Sequence, residues 1–258
     1  MSRFINLEFH DEPPRERPVT RVLKDAAFHL VEAGRAFEDG QFEQALRSFG
    51  KVLEFDPESV AAWVGQVRML IEMREFLEAR LWADKALEKF PREPELLAAK
   101  AVALGRIGDL GAAIAFSDAA LEVKGDSAYV WLARGDVLLA RKEKRADYCF
   151  EQAFARASGQ WMIHWLASRI CAFYQLFSRA LKHAQQCLDL EAGKASVWLQ
   201  IGRCQQEVGL STQAQQSFLQ ALQLDPTCRE ASAALTGVAS GGFFSRLRNA
   251  WKQLFFRP

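Results

Sequence analysis

Residues 198–226 read WLQIGRCQQEVGLSTQAQQSFLQALQLDP, a stretch that describes two helices separated by a turn. Ala214 and Phe218 lie four residues apart in the second half, which places them on one face of a helix. Gly209 stands five residues before Ala214, where the first helix must turn into the second. Pro226 marks the end of the second helix. The stretch therefore predicts a pair of antiparallel helices.

The same pattern returns along the chain with a period of 34 residues. Alanine recurs in register six times, at Ala45, Ala79, Ala113, Ala146, Ala180 and Ala214, with spacings of 34, 34, 33, 34 and 34. Three units carry tryptophan at the same position of the preceding half-unit, at Trp63, Trp131 and Trp198. Three units carry glycine in the turn, at Gly40, Gly108 and Gly209. The spacing of 33 falls before Ala146, so we expect the missing residue in the turn 141–145 and a slight tilt of the helix that follows.

These features resemble the tetratricopeptide repeat, in which two antiparallel helices cross closely through small residues. Six units cover roughly residues 26–228. The resemblance implies an all-α fold, a right-handed superhelical solenoid of about six helix-turn-helix repeats with terminal capping helices. The physical reason is that a helix pair cannot bury its apolar face alone, so successive units stack. The family builds its inner wall mainly from first helices, and such a wall is a binding surface and not a catalytic cleft.

The chain divides into three parts on this interpretation. Residues 1–18 are rich in proline and mixed in charge, and we expect them to form an extended arm. As an alternative, the apolar residues of this arm dock on the first unit. Residues 19–238 form the solenoid with its C-terminal capping helix. Residues 239–258 form a basic amphipathic segment that carries no acidic residue.

Composition excludes several classes of function. Lys plus Arg is 33 and Asp plus Glu is 32, so a net charge of +1 provides no global field for nucleic acid. The five cysteines form no C-x-x-C, and the sequence contains no P-loop, G-x-G-x-x-G or H-E-x-x-H motif. We therefore expect a cytoplasmic protein with reduced thiols, no catalytic site, no metal and no cofactor. The sequence leaves the oligomeric state open.

One group of residues keeps a chemical alternative open. His183 and Cys187 lie four residues apart on one helix, with His164 and Cys171 nearby in the sequence. A metal site or a Cys–His nucleophile would use these residue types. Cys187, however, occupies a slot that holds alanine in four other units, so we favour a small apolar core residue.

The inner wall carries the candidate binding residues. The family pattern places Arg68, Arg169 and Arg203 in one slot of their first helices, and it places Tyr129 and Trp165 at other positions that face the groove. Arginine pairs bidentately with carboxylates and stacks on aromatic rings. We expect exposed arginines that bind a protein or peptide partner with acidic and apolar side chains. The alternative is solvated arginines above ordinary helix packing.

One ligand known in the family is disfavoured here. Some members hold an acidic chaperone tail with Lys, Asn and Arg side chains in the first three units. The matching positions of this chain are Leu30, Gly34, Glu95 and Ala99, which lack that chemistry.

The C-terminal segment supports an alternative function. Phe244, Leu247, Trp251 and Phe255 form an apolar stripe at helical spacing, in a segment that carries four basic residues. The stripe either folds back onto the last repeat, which we favour, or contacts a membrane surface or a partner. The leading interpretation is a non-catalytic scaffold or adaptor that binds a partner segment in its concave groove. The alternative is a peripheral membrane-associated assembly factor recruited through this segment.

Overall fold

The computed structural model describes residues 25–237, and all regular secondary structure in that range is helical. Twelve helices are bounded there as α1 (Ala26–Glu38), α2 (Phe42–Phe55), α3 (Val60–Glu72), α4 (Phe76–Lys89), α5 (Pro94–Ile107), α6 (Leu110–Glu122), α7 (Ala128–Ala140), α8 (Ala146–Arg156), α9 (Trp161–Phe173), α10 (Phe177–Leu190), α11 (Ala195–Glu207) and α12 (Ser211–Leu224). Residues 229–237 are helical as well. No helix among the described residues is long and apolar enough to cross a membrane. The predicted all-α solenoid is confirmed.

The helices pair as the repeat predicts, α1 with α2 and so on to α11 with α12, and each pair packs against the next. The six register alanines are at most 1% exposed. The shared tryptophans anchor the loop that precedes their helix. Each tryptophan donates a hydrogen bond from its indole Nε1. Trp63 donates to Pro57 O at 2.9 Å, Trp131 to Asp126 Oδ1 at 3.2 Å and Trp198 to Ala192 O at 2.9 Å.

The turn within each unit uses one left-handed residue. The φ angles of Gly40, Gly108 and Gly209 are 75, 105 and 86°, a region in which glycine has no steric cost. The other three units place Arg74, Lys142 and Gln175 at the same slot, with φ of 67, 58 and 59°. The backbone N–H of the next residue then reaches back across the helix end, as Leu210 N does to Gln205 O at 2.8 Å.

The fourth unit is short where the sequence predicts it to be. Its left-handed residue, Lys142, precedes Ala146 by four positions, whereas Gln175 precedes Ala180 by five. Helix α8 begins only at Ala146 and has 11 residues, against 14 in α10. The missing residue therefore lies in the turn, and its absence shortens the second helix at its start.

The predicted arm at 1–18 and the basic segment at 239–258 lie outside the described residues. The helical residues 229–237 follow α12, and Ala231 is fully buried in a cluster with Leu199 and Phe218. This packing covers part of the apolar face that the last helix pair cannot bury alone.

The solenoid closes on itself, because the first unit contacts the fifth and sixth. The Trp165 ring on α9 packs against Phe37 and Phe42 with ring centroids 6.1 and 6.0 Å apart. Lys194, which precedes α11, pairs with Asp39 and Glu38 at 2.9 and 3.1 Å. Residues more than 120 positions apart in the sequence therefore meet across the inner wall.

Candidate functional site

A buried ion pair bridges the inner wall between the second and fifth units. Arg169 Nε donates to Glu72 Oε2 at 2.6 Å, and the two side chains are only 17% and 11% exposed. The guanidinium also lies over the rings of Phe42 and Trp165, 4.5 and 5.0 Å from their centroids. Four side chains from units 1, 2 and 5 therefore form one contact set.

A second bridge joins the third, fourth and fifth units. Arg106 Nη2 donates to Asp136 Oδ2 at 2.7 Å, and Tyr174 donates its hydroxyl proton to Asp136 Oδ1 at 2.7 Å. Burial alone would lower the pKa of Arg106, but the charge of Asp136 and its hydrogen bond raise that pKa above the ordinary value. Burial and the same carboxylate raise the pKa of Tyr174. Arg106 thus stays charged and Tyr174 neutral, which makes this triad structural.

Arg68 occupies a third contact on the inner wall. Its guanidinium lies 4.1 Å from the Tyr129 ring centroid and 5.1 Å from that of Phe37. Burial raises the pKa of Tyr129, so its hydroxyl is protonated. The arginine therefore holds two aromatic rings from units 1 and 4 together.

The first two of these contacts, through Glu72, Arg169 and Arg106, border a cavity of about 1210 Å³. Its walls are the turns of units 1 and 2 on one side and α9 and α11 on the other, with residues 225–230 at one end. The lining includes aromatic rings and arginines, among them Phe42, Arg74, Trp165, Phe173, Arg203 and Arg229, together with the acidic side chains Asp39, Glu43, Glu75, Glu207 and Asp225. The family pattern builds the inner wall mainly from first helices. In this protein the turns of the first two units complete the wall.

The cavity presents both charges beside aromatic rings. Arg203 pairs with Glu230 at 2.6 Å, but the two side chains are 42% and 56% exposed. An ion pair this exposed contributes at most about 1 kcal/mol, so a ligand carboxylate can replace Glu230. Arg74 and Arg229 have no ion pair among the described residues 25–237. These three arginines are the groups free to accept an acidic ligand.

The structure separates the five predicted binding residues into two places. Trp165, Arg169 and Arg203 line the cavity, whereas Arg68 contacts Tyr129 and borders a smaller groove. The expectation of exposed arginines is wrong for Arg169, whose side chain is 17% exposed, whereas that of Arg203 is 42% exposed. The partners of Arg68 and Arg169 are aromatic rings and a carboxylate from distant units, and nothing in the repeat pattern signals them.

Sequence reasoning missed Arg74 and Arg229 altogether. Arg74 has φ of 67° at the left-handed turn slot, and its guanidinium lies 5.8 Å from the Phe173 ring centroid. The sequence holds one signal that could have identified Arg74: it is a non-glycine residue at a turn slot that holds glycine in three other units.

The smaller groove has a volume of about 420 Å³ and lies between α1, α3 and the start of α5. Its floor is apolar and its edge carries three charged side chains. The lining includes Leu30, Gly34, Val60, Val64, Met69, Arg68, Glu93 and Glu95.

The His–Cys group packs as apolar core. His183 and His164 lie against the Phe154 ring, with centroids 5.3 and 4.2 Å away. Burial raises the pKa of the Cys187 thiol to about 12, so the reactive thiolate is absent at neutral pH. Over residues 25–237, no group of three or more His, Cys, Asp or Glu side chains is arranged to hold a metal ion.

Fold and inner wall together define a helical-repeat protein with an internal cavity. Two tetratricopeptide repeat models match the sequence, at residues 36–103 and 195–228. The matched segments are tetratricopeptide repeats, and the chain is similar to the proteins of that family. The sequence has no significant match among curated proteins.

Solved structures share the fold at low sequence identity. A tetratricopeptide repeat protein from Parabacteroides merdae has 15% identity and a TM-score of 0.53, over 87% of this chain and 88% of that chain. Human IFIT1, in a dimer with PPP-AAAA, has 16% identity and a TM-score of 0.52, over 92% and 70%. A chain of the APC/C hetero-tetramer Cut9–Hcn1 has 16% identity and a TM-score of 0.50, and this chain spans 44% of it. The likeness concerns the fold alone.

Proposed function

We propose that this protein is a non-catalytic scaffold that binds a segment of a partner protein in the cavity between its first two and last two units. The tetratricopeptide repeat fold suggests a protein–protein interaction scaffold, and proteins of the family are generally non-catalytic. The observation that carries the proposal is the cavity of about 1210 Å³, whose lining combines aromatic rings with arginines that lack a buried partner.

The lining favours an acidic segment with apolar side chains. Arg74, Arg203 and Arg229 offer charge-assisted hydrogen bonds to carboxylates. Phe173 and Phe177 offer partly buried rings on which apolar side chains pack. Arg169 contributes differently, because it is committed to Glu72 and holds the wall in place.

Selection from a library of random short peptides on the immobilised protein tests the proposal. We expect enrichment of peptides that combine acidic and aromatic or aliphatic residues. The variant Arg203→Glu/Arg229→Glu should lose those peptides, because like charges then oppose the carboxylates. Binding is measured by isothermal titration calorimetry with the selected peptides.

A matched control uses Arg35→Glu. Arg35 pairs with Glu32 at 3.3 Å, is 71% exposed and lies outside both cavities. This variant should bind the peptides as the intact protein does. Peptides that bind the double variant equally well, or that are lost in both variants, would place the site elsewhere.

A further inference from the structure

The smaller groove between α1 and α3 needs an apolar occupant. Leu30, Val60 and Val64 form much of its floor, and Leu30 remains 37% exposed. An added Cβ at Gly34 would meet no heavy atom within 4 Å, so the middle of α1 opens onto empty space. A groove of about 420 Å³ has room for a few side chains.

The N-terminal segment has the pattern that such a groove requires. Ile5, Leu7 and Phe9 alternate with Asn6 and Glu8. In an extended backbone, alternate side chains point to one face, so the three apolar residues share a face.

The connection is direct, because this segment leads into the helix that forms the groove. Fifteen residues lie between Phe9 and Asp25, and the sixteen steps between their Cα atoms span up to about 53 Å when extended. Helix α1 has 13 residues and is about 20 Å long, so the chain has ample length to turn back along it. Pro13, Pro14 and Pro18 limit the conformations lost on docking.

Charge is also compatible with this occupant. Glu93, Glu95 and Arg68 line the groove. In an extended backbone Arg3 shares the face of Ile5 and Leu7. An opposite charge is therefore available for the two glutamates.

We propose that residues 4–9 of the same chain occupy the groove between α1 and α3, as an intramolecular ligand of the inner wall. The docked segment covers the apolar floor that the first helix pair leaves open.

Photo-cross-linking in the full chain tests this proposal. A photoreactive amino acid replaces Leu7, and the products are digested and sequenced by mass spectrometry. We expect cross-links to peptides within 26–38 and 60–72. Gly34→Trp should abolish them, because the indole fills the groove. Gly111→Trp is the matched control, since the only atom within 4 Å of an added Cβ there is Asp109 Oδ1, and the cross-links should persist.

Three outcomes would overturn the proposal. The first is the absence of cross-links to the groove peptides. The second is a link between two chains, recognised in a mixture of isotope-labelled and unlabelled protein, which would assign the groove to a second copy. The third is a groove link from a probe at Trp251 and none from position 7, which would assign the groove to the C-terminal segment.

Discussion

Glycines let neighbouring helices touch through an aromatic ring, within the fourth and sixth units and between the first and second. A Cβ added at Gly65, Gly135 or Gly202 would lie 2.5, 2.6 or 2.5 Å from the nearest ring atom of Phe49, Phe150 or Phe218. No Cβ tolerates such a distance, so the ring or the helix must move. A methyl group at these positions therefore opposes the packing that defines the unit.

Gly135→Ala should lower the free energy of unfolding by about 1–3 kcal/mol, because Phe150 is 2% exposed and has little room to shift. Urea unfolding followed by circular dichroism measures the change. Gly111→Ala is the control: its helix position is open, and alanine is expected to be neutral or to stabilise by up to about 1 kcal/mol. Equal effects of the two substitutions would contradict the close contact at Gly135.

Acidification should destabilise the protein through His183. Burial against Phe150 and Phe154 lowers the pKa of His183 to about 4, well below the value of an unfolded chain. As the pH falls below 6.5, the unfolded state takes up a proton and the folded state does not, so stability decreases until about pH 4. The loss between pH 7 and pH 5 should be about 2 kcal/mol.

His183→Gln removes this proton uptake and should flatten the pH dependence of the free energy of unfolding over that range. The measurement is urea unfolding at pH 7 and pH 5 for both proteins. An unchanged pH dependence in the variant would show that another group controls it, and His164, whose pKa burial also lowers, is the first to examine.

Among the elements, the turns show how far the sequence determines local structure. The slot five residues before the register alanine is left-handed whether it holds Gly209 or Gln175. Tertiary packing thus imposes the turn, and glycine only lowers its cost. The same reasoning explains the short fourth unit, because Lys142 keeps its left-handed conformation and α8 gives up its first residues.

Gln175→Gly should raise the free energy of unfolding by about 0.5–1 kcal/mol. A left-handed conformation costs a residue with a Cβ roughly 1–2 kcal/mol, and the greater freedom of glycine in the unfolded chain offsets part of the gain. Gln41→Gly is the matched control, because Gln41 has φ of −87° and should only lose stability. The prediction is wrong if thermal denaturation shows the two variants changing in the same direction.

The period and phase of the repeat predicted the helix pairs, their turns and the short unit, because those features depend on neighbours in the sequence. The binding wall depends on the rotation between successive units, which accumulates over six units and leaves no local pattern. Arg169 was predicted to face the inner wall, yet its partner Glu72 lies 97 residues away. Phe42 and Phe173 were not singled out, since their ring partners belong to other units.

For the whole molecule, closure of the solenoid decides what the inner wall can bind. Contacts of the first two units with α9 and α11 turn an open groove into a bordered cavity. The same contacts pair Arg169 with Glu72, so this arginine is not available to a ligand. The proposed function therefore implies that stability and binding are coupled through the residues at the closure.

A double-mutant cycle measures the strength of this closure. Glu72→Gln, Arg169→Met and the combined variant should give a coupling free energy of about 1–3 kcal/mol, because the pair is largely buried and bridges units 2 and 5. The same cycle at the exposed pair of Glu32 and Arg35 should give less than about 0.5 kcal/mol. Similar values for both pairs would mean that Arg169 and Glu72 do not interact across the wall.

Disulfide trapping is the decisive test of whether the solenoid closes in solution. An added Cβ at Gly40 lies 3.5 Å from Ser196 Cβ, within the range of about 3.5–4.5 Å that a disulfide requires. In a Cys228→Ser background, which removes the one native cysteine that is not buried, Gly40→Cys/Ser196→Cys should form an intramolecular disulfide under mild oxidation. Mass spectrometry identifies the linked peptides, and the two single variants serve as controls. Closure predicts a bridged monomer; two thiols that stay free in the folded protein, each open to alkylation, would contradict it.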